Sequence, residues 1–190
     1  MSSFEYLTVF VAVIMGLAVT RLLSAIGGSL RHRRSITGHW THSIWALNVL
    51  IYVVSIWWAL FAWNQLPEWN YFLFLFIVLY AIVLYLLSDV LYPDVVGPGL
   101  DLEAHWIEHR GLFFGILMFA VLLDIPETVM KAESGLRAVP RTYWALHSVW
   151  IGVCVVGILT PNRKVHTALP VFWLMATLVY IGWGILILAG

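Results

Sequence analysis

Apolar residues run along this chain in six long blocks separated by short polar punctuation. The blocks cover 4–30, 40–64, 70–91, 106–131, 141–160 and 166–188. The breaks read "RHRRSITG", "QLPEWN", "YPDVVGPGLDLEAH", "KAESGLRAVPR" and "TPNRKVH". A hydrocarbon core of about 30 Å is crossed by roughly 20 helical residues. Each block meets that length, so the pattern predicts six transmembrane helices. Barrel strands would instead alternate apolar and polar positions over about 10 residues. The expected fold is all-α, a polytopic membrane helix bundle. The connections are short, so residues 1–190 are expected to form a single transmembrane domain.

Composition changes the picture only by excluding classes. Hydrophobic residues make up 62% and charged ones 11% of the chain, with mean hydropathy +0.92. Soluble domains sit near half apolar and a quarter charged, so the lipid bilayer is the expected solvent. Net charge is zero, which leaves no electrostatic case for nucleic acid. The single cysteine, Cys154, lies in an apolar run and supports no disulfide framework. The opening "MSSFEYLTVF" lacks a basic region and carries Glu5, so a cleaved signal peptide is not expected. Arg31, Arg33, Arg34, Arg110, Arg163 and Lys164 fall on one side of the predicted topology, against Lys131, Arg137 and Arg141. That bias places the first group in the cytoplasm and both termini outside.

Two patterns lie within the spans. Ala12, Gly16, Thr20, Ser24 and Gly28 recur every four residues, which predicts a close-packed ridge and makes span 1 a central helix. Gly111 and Gly115 open span 4 in the same way, and Pro126 is expected to kink it. The second pattern is an echo. "WTHSIW" at 40–45 and "WALHSVW" at 144–150 each open the second helix of a three-helix half. Three spans per half would make the halves a 3+3 inverted repeat, an arrangement many transporters share. Chance recurrence among 11 Trp and 7 His is the plain alternative.

Ionisable groups inside a span are costly, so each is a candidate for function. Arg21 and Asn48 fall within about 6 Å of their helix midpoints, with His42 and Asp89 nearer the same surface. These four are the expected ligand-binding set on the cytoplasmic side. Arg21 needs an acceptor, for which Asp89 is the candidate, and its guanidinium could also grip a carboxylate or phosphate. On the outer side Asp124 and His147 lie about 9 and 5 Å from the midplane, at matching depth. Paired with Asp124, His147 would titrate in the physiological range and could couple protons to movement.

The densest polar stretch is "DLEAHWIEHR" at 101–110. His105, Glu108 and His109 have the H-x-x-E-H spacing of one zinc-protease class. In that reading His105 and His109 bind a divalent metal such as zinc, His42 supplies a third ligand (His39 or Asp89 being alternatives), and Glu108 is the catalytic base. The plainer reading is an interfacial helix start, with Asp101 capping it, Glu103 at its positive end and Trp106 and Arg110 at headgroup level. Haem is a further option, through His42 with His105 or His109. It suits the chain less, because no single span pairs two histidines at opposite depths. Trp40, Trp69, Trp106 and Trp144 fall at span ends as belt residues do. Trp57, Trp58, Trp63, Trp150, Trp173 and Trp183 lie deeper, where packing is the default.

The segments "EYLTVFVAVIMGLAVTRLLSAIG", "HWTHSIWAL" and "DLEAHWIEHRGLFFG" together resemble a group of small bacterial inner-membrane proteins with no assigned activity. The resemblance implies a bacterial inner membrane and transfers no residue role. Three functional readings follow from the residues. The first is a protein that binds, and transports, a small ligand in a polar intramembrane cavity. The second is a metal-dependent membrane enzyme built on 105–109. The third is an accessory or assembly subunit of a larger membrane complex. A homo-oligomer would help bury the polar faces in any of them.

Overall fold

The structure, a computed structural model, describes residues 2–188, with the side chains of residues 39 and 183–188 outside the described residues. The chain is all-helical: α1 (Ser3–Arg31), α2 (His39–Leu60) continued by a 3-10 turn (Phe61–Gln65), α3 (Tyr71–Val90), α4 (Leu102–Glu133), α5 (Tyr143–Leu159) and α6 (Arg163–Leu188). Five of these, α1, α2 with its extension, α3, α4 and α6, are long and apolar enough to cross a membrane. α5 is a shorter apolar helix of 17 residues. α4 runs unbroken through Pro126.

Helix starts follow local chemistry. Ser2 and Glu5 form a reciprocal capping box at α1. Asn70 accepts from the Leu73 amide at α3, and Asn162 from the Lys164 amide at α6. Asp101 caps α4 by accepting from the Glu103 and Ala104 amides. The Ala104 amide, then the Thr37 hydroxyl, hold its carboxyl below the usual carboxylate range. This cap is why α4 begins at Leu102, four residues before the apolar block. At α2 the N-cap is Gly38, with φ of 72° and the Glu103 amide nitrogen 2.9 Å from where a Cβ would sit. Both the left-handed backbone and the close approach require glycine there. The α2 and α4 starts are thereby pressed together.

Packing corrects two expectations about α1. Its buried face is Leu7, Val11, Met15, Ala18, Leu22 and Ala25, which lies along α3. The small-residue row is elsewhere: Thr20 and Ser24 are exposed, and a Cβ on Gly16 would meet open space. The reason is angular. At about 100° per residue a step of four overshoots a full turn by about 40°, so a long i+4 row winds off any one face. Mixed steps of three and four stay on it. Only Gly28, against Val96, makes a close approach. The central helix is α2, which packs against α1, α3, α4 and α6. Gly111 and Gly115 are likewise unpacked, and the close α4–α5 contact is instead Gly157 against the Phe114 ring.

Outward faces are apolar. Val9, Val13 and Leu17 on α1 are more than half exposed, and Trp58 and Phe72 reach 82% and 81%. Contiguous apolar surface on this scale is not tolerated in water, and it matches hydrocarbon. The interior holds an aromatic cluster in which Trp45 contacts Trp106, Phe113, Phe114 and Trp173 at 5.1–6.1 Å between centroids.

Candidate functional site

α2, α4 and α6 all begin at one end of the bundle, held there by the Thr37–Asp101 bridge and an Arg163–Glu103 ion pair of 3.2 Å. Between their first turns lies a cavity of about 180 Å³. One turn inside each helix start, a ring faces it: His42 from α2, Trp106 from α4 and His166 from α6. The three are only 1, 4 and 2% exposed. Trp106 stands between the imidazoles, with centroids 5.5 Å from His42 and 5.8 Å from His166. Trp106 Nε1 and His166 Nδ1 have no hydrogen-bond partner. Neither ring nitrogen of His42 completes a hydrogen bond either, although the Gly38 carbonyl one turn back faces the ring. Buried polar groups in native proteins are nearly always satisfied, so three together at one cavity mark a site for a polar occupant.

His166 has a defined tautomer. Its Nε2 lies 2.6 Å from the Thr160 carbonyl, an acceptor only, so Nε2 carries a proton. Nδ1 is then a lone pair on the neutral ring and a donor on the protonated one. The first turn of α2 has no side-chain cap. Its amides thus have no capping side chain, and Gly38, Trp40 and Thr41 of that turn line the cavity. Arg110 lies one turn deeper than Trp106 on the same face of α4, with Nη1 on the Ile107 carbonyl and Nε without a partner.

The histidines expected to bind metal do not converge. His105 and His109 stack with centroids 4.2 Å apart, and His109 Nδ1 turns to the His105 carbonyl at 3.0 Å. His42 is 6.3 Å from His105 between centroids. Among the described residues no group of three or more His, Cys, Asp or Glu side chains can hold a metal ion. Consecutive-turn imidazoles here face each other rather than a common point, and Glu108 is exposed beside them. The cavity, smaller than the roughly 300–1,000 Å³ of usual cofactor pockets, does not fit haem. Asp101 does cap α4, but Trp106 is buried core rather than belt.

The four residues expected to share a cytoplasmic-side site occupy three places. Arg21 Nε donates to Asp89 at 2.9 Å, and Nη2 donates to the Tyr92 and Pro93 carbonyls at 3.1 and 3.2 Å. Nη1 reaches the Asp94 carbonyl at 3.5 Å. These carbonyls follow the end of α3, so Arg21 ties α1 to Asp89 and to the segment just beyond that helix. Its donors are engaged within the protein. Asn48 donates to the Pro170 carbonyl at 2.8 Å and ties α2 to α6. His42 stands apart at the cavity, against the Tyr92 ring at 5.5 Å.

At the opposite end Asp124 and His147 meet at 3.0 Å. The Tyr143 hydroxyl donates to Asp124 at 3.0 Å, and the Tyr80 hydroxyl does so at 3.4 Å. Tyr52 and Tyr80 hydroxyls are 2.9 Å apart; with the Tyr80 proton on Asp124, Tyr52 is the donor between them. His147 Nδ1 is 3.2 Å from the Tyr143 carbonyl, so its contact with Asp124 runs through Nε2. One proton is held between the two groups, on the imidazole or on the carboxyl. Nearby, Glu127 and Lys131 form a buried ion pair, completed by Trp63 Nε1 on Glu127 at 3.0 Å and by Lys131 on the Ala59 carbonyl at 2.7 Å.

The echoed histidines thus sit in different settings, His42 without a completed hydrogen bond and His147 in a formed pair. Backbone packing differs as well: α1 lies along α3, whereas α4 lies along α5. Sequence reasoning missed Trp106 and His166, with Thr41 of the cavity lining beside them, as a group. The available signal was a ring one turn inside each of three helix starts on the same side. These features define a polytopic helical membrane protein with a polar cavity at one end and a buried acid–histidine cluster at the other. Comparison with known protein families, curated proteins and solved structures yields no match.

Proposed function

We propose that this chain is a six-span bacterial inner-membrane protein that binds a small ligand in the cavity between α2, α4 and α6, and that it transports that ligand. The observation that carries this reading is the convergence of His42, Trp106 and His166, buried and with hydrogen bonds unmade, on one cavity. α5 supplies the sixth crossing: it starts beside Asp124 and ends where Thr160 meets His166, at the cavity end. Its 17 residues span about 26 Å, a modest mismatch that local thinning absorbs. The loop cations favour a cytoplasmic cavity. Lys131 is buried and Arg110 lies within α4, which leaves Arg31, Arg33, Arg34, Arg163 and Lys164 against Arg137 and Arg141.

Polar groups continue from the cavity along α2 as His42, Asn48 and Tyr52, then through Tyr80 to Asp124 and His147. A proton held at Asp124–His147 is suited to coupling the ligand's movement to a gradient. Accessibility tests the cavity. In a Cys154→Ala background, Thr41→Cys should react with a neutral water-soluble maleimide, while Leu84→Cys, fully buried in α3, should not. A Thr41→Cys protein as inert as Leu84→Cys would remove the binding reading.

A further inference from the structure

We infer that the occupant of this cavity is an oxyanion, a carboxylate or a phosphate group, bound by the starts of three helices. The inference rests on the binding reading above and adds the ligand's chemistry. The groups with unmade bonds decide the sign of the charge. Trp106 Nε1 can only donate. The uncapped first turn of α2 presents donors from Gly38, Trp40 and Thr41. α2, α4 and α6 all direct their positive ends here; Asp101 meets that of α4 and Asn162 caps α6, which leaves the start of α2 open. A neutral His42 ring still carries one N–H donor, whereas His166 Nδ1 donates only when the ring is protonated.

The fixed charges agree. Glu103 is the one carboxylate among the lining residues, and Arg163 neutralises it at 3.2 Å. Asp101 faces α4's own amides. That leaves no unpaired carboxylate in the lining, with Arg110 a half-buried cation one turn below Trp106, outside the lining itself. A cation would meet only Glu103 and lose it to Arg163. Each of α2 and α6 is long enough for its dipole to act, and the buried unpartnered rings are the independent sign that the helix starts serve a ligand rather than solvent.

Carboxylates and phosphates reach such a site either free in water or as lipid headgroups, and one experiment separates them. Thr41→Cys protein in the Cys154→Ala background is placed in phosphatidylcholine vesicles, and the rate of labelling by the neutral maleimide is read. Inorganic phosphate or acetate, replacing chloride at constant ionic strength, should slow labelling saturably. Trp106→Phe should weaken that protection about tenfold, as loss of a hydrogen bond to a charged group does. Protection by phosphatidylglycerol in the vesicle but by neither soluble ion would assign the oxyanion to a lipid headgroup. Labelling that proceeds but is slowed by none of the three would overturn the oxyanion and leave the cavity standing. Protection unchanged by Trp106→Phe would overturn it too. No labelling at all would take down both readings.

Discussion

Lys131 and Glu127 show how much a single side chain can carry in this bundle. Their side chains are 3% and 5% exposed, and each has a second partner, the Ala59 carbonyl for the ammonium and the Trp63 indole for the carboxylate. Removing one member of a buried pair leaves the other charged and unmatched, at a cost of about 3–5 kcal/mol. Lys131→Met should therefore lower stability by about that amount, read from unfolding in denaturing detergent. Glu127→Gln added to Lys131→Met should restore most of the loss, because Gln still accepts from Trp63 and no charge remains. A double variant no more stable than Lys131→Met would show that the pair is not the unit. Residue type alone placed Lys131 among the loop cations. Its burial follows from α4 running beside the end of α2, which hydropathy does not encode.

At the scale of elements, the α4–α5 contact turns on Gly157. Its missing Cβ makes room for the Phe114 ring, and that ring cannot retreat. It is fully buried against Trp45, Phe113, Trp106 and His166. Gly157→Ala should cost about 1–3 kcal/mol as an overpacked core does. Gly115→Ala, where nothing lies within 4 Å, should be neutral within about 0.5 kcal/mol or slightly stabilising, since it removes backbone entropy from the unfolded chain. Equal effects at the two glycines would contradict this packing. Repeated small residues at i and i+4 drew attention to the wrong positions, because spacing shows where backbones could approach and not where they do. The opposite holds for Arg21 with Asp89 and for Asp124 with His147. Their partners could be named from depth alone, since helical rise sets depth and few acids share it.

For the whole molecule, topology turns on whether α5 crosses the bilayer. Cysteines at Ser134, in the α4–α5 turn, and at Asn162, before α6, are exposed sites that should label from opposite faces of sealed vesicles. Labelling from the same face would mean five crossings and would place the cavity and the Asp124 cluster differently in the membrane. Hydropathy summed over a span, and cap residues such as Asp101 and Asn70, are properties of neighbours in the chain. They determined the helices to within a few residues, the all-α class and the polar groups at each depth. Which faces meet is a matter of azimuth around each helix axis, and only packing among several helices sets it. Tertiary structure alone therefore turned Trp106 inward, left Thr20 and Ser24 of the α1 small-residue row exposed, split Arg21 from His42, and brought three helix starts around one cavity.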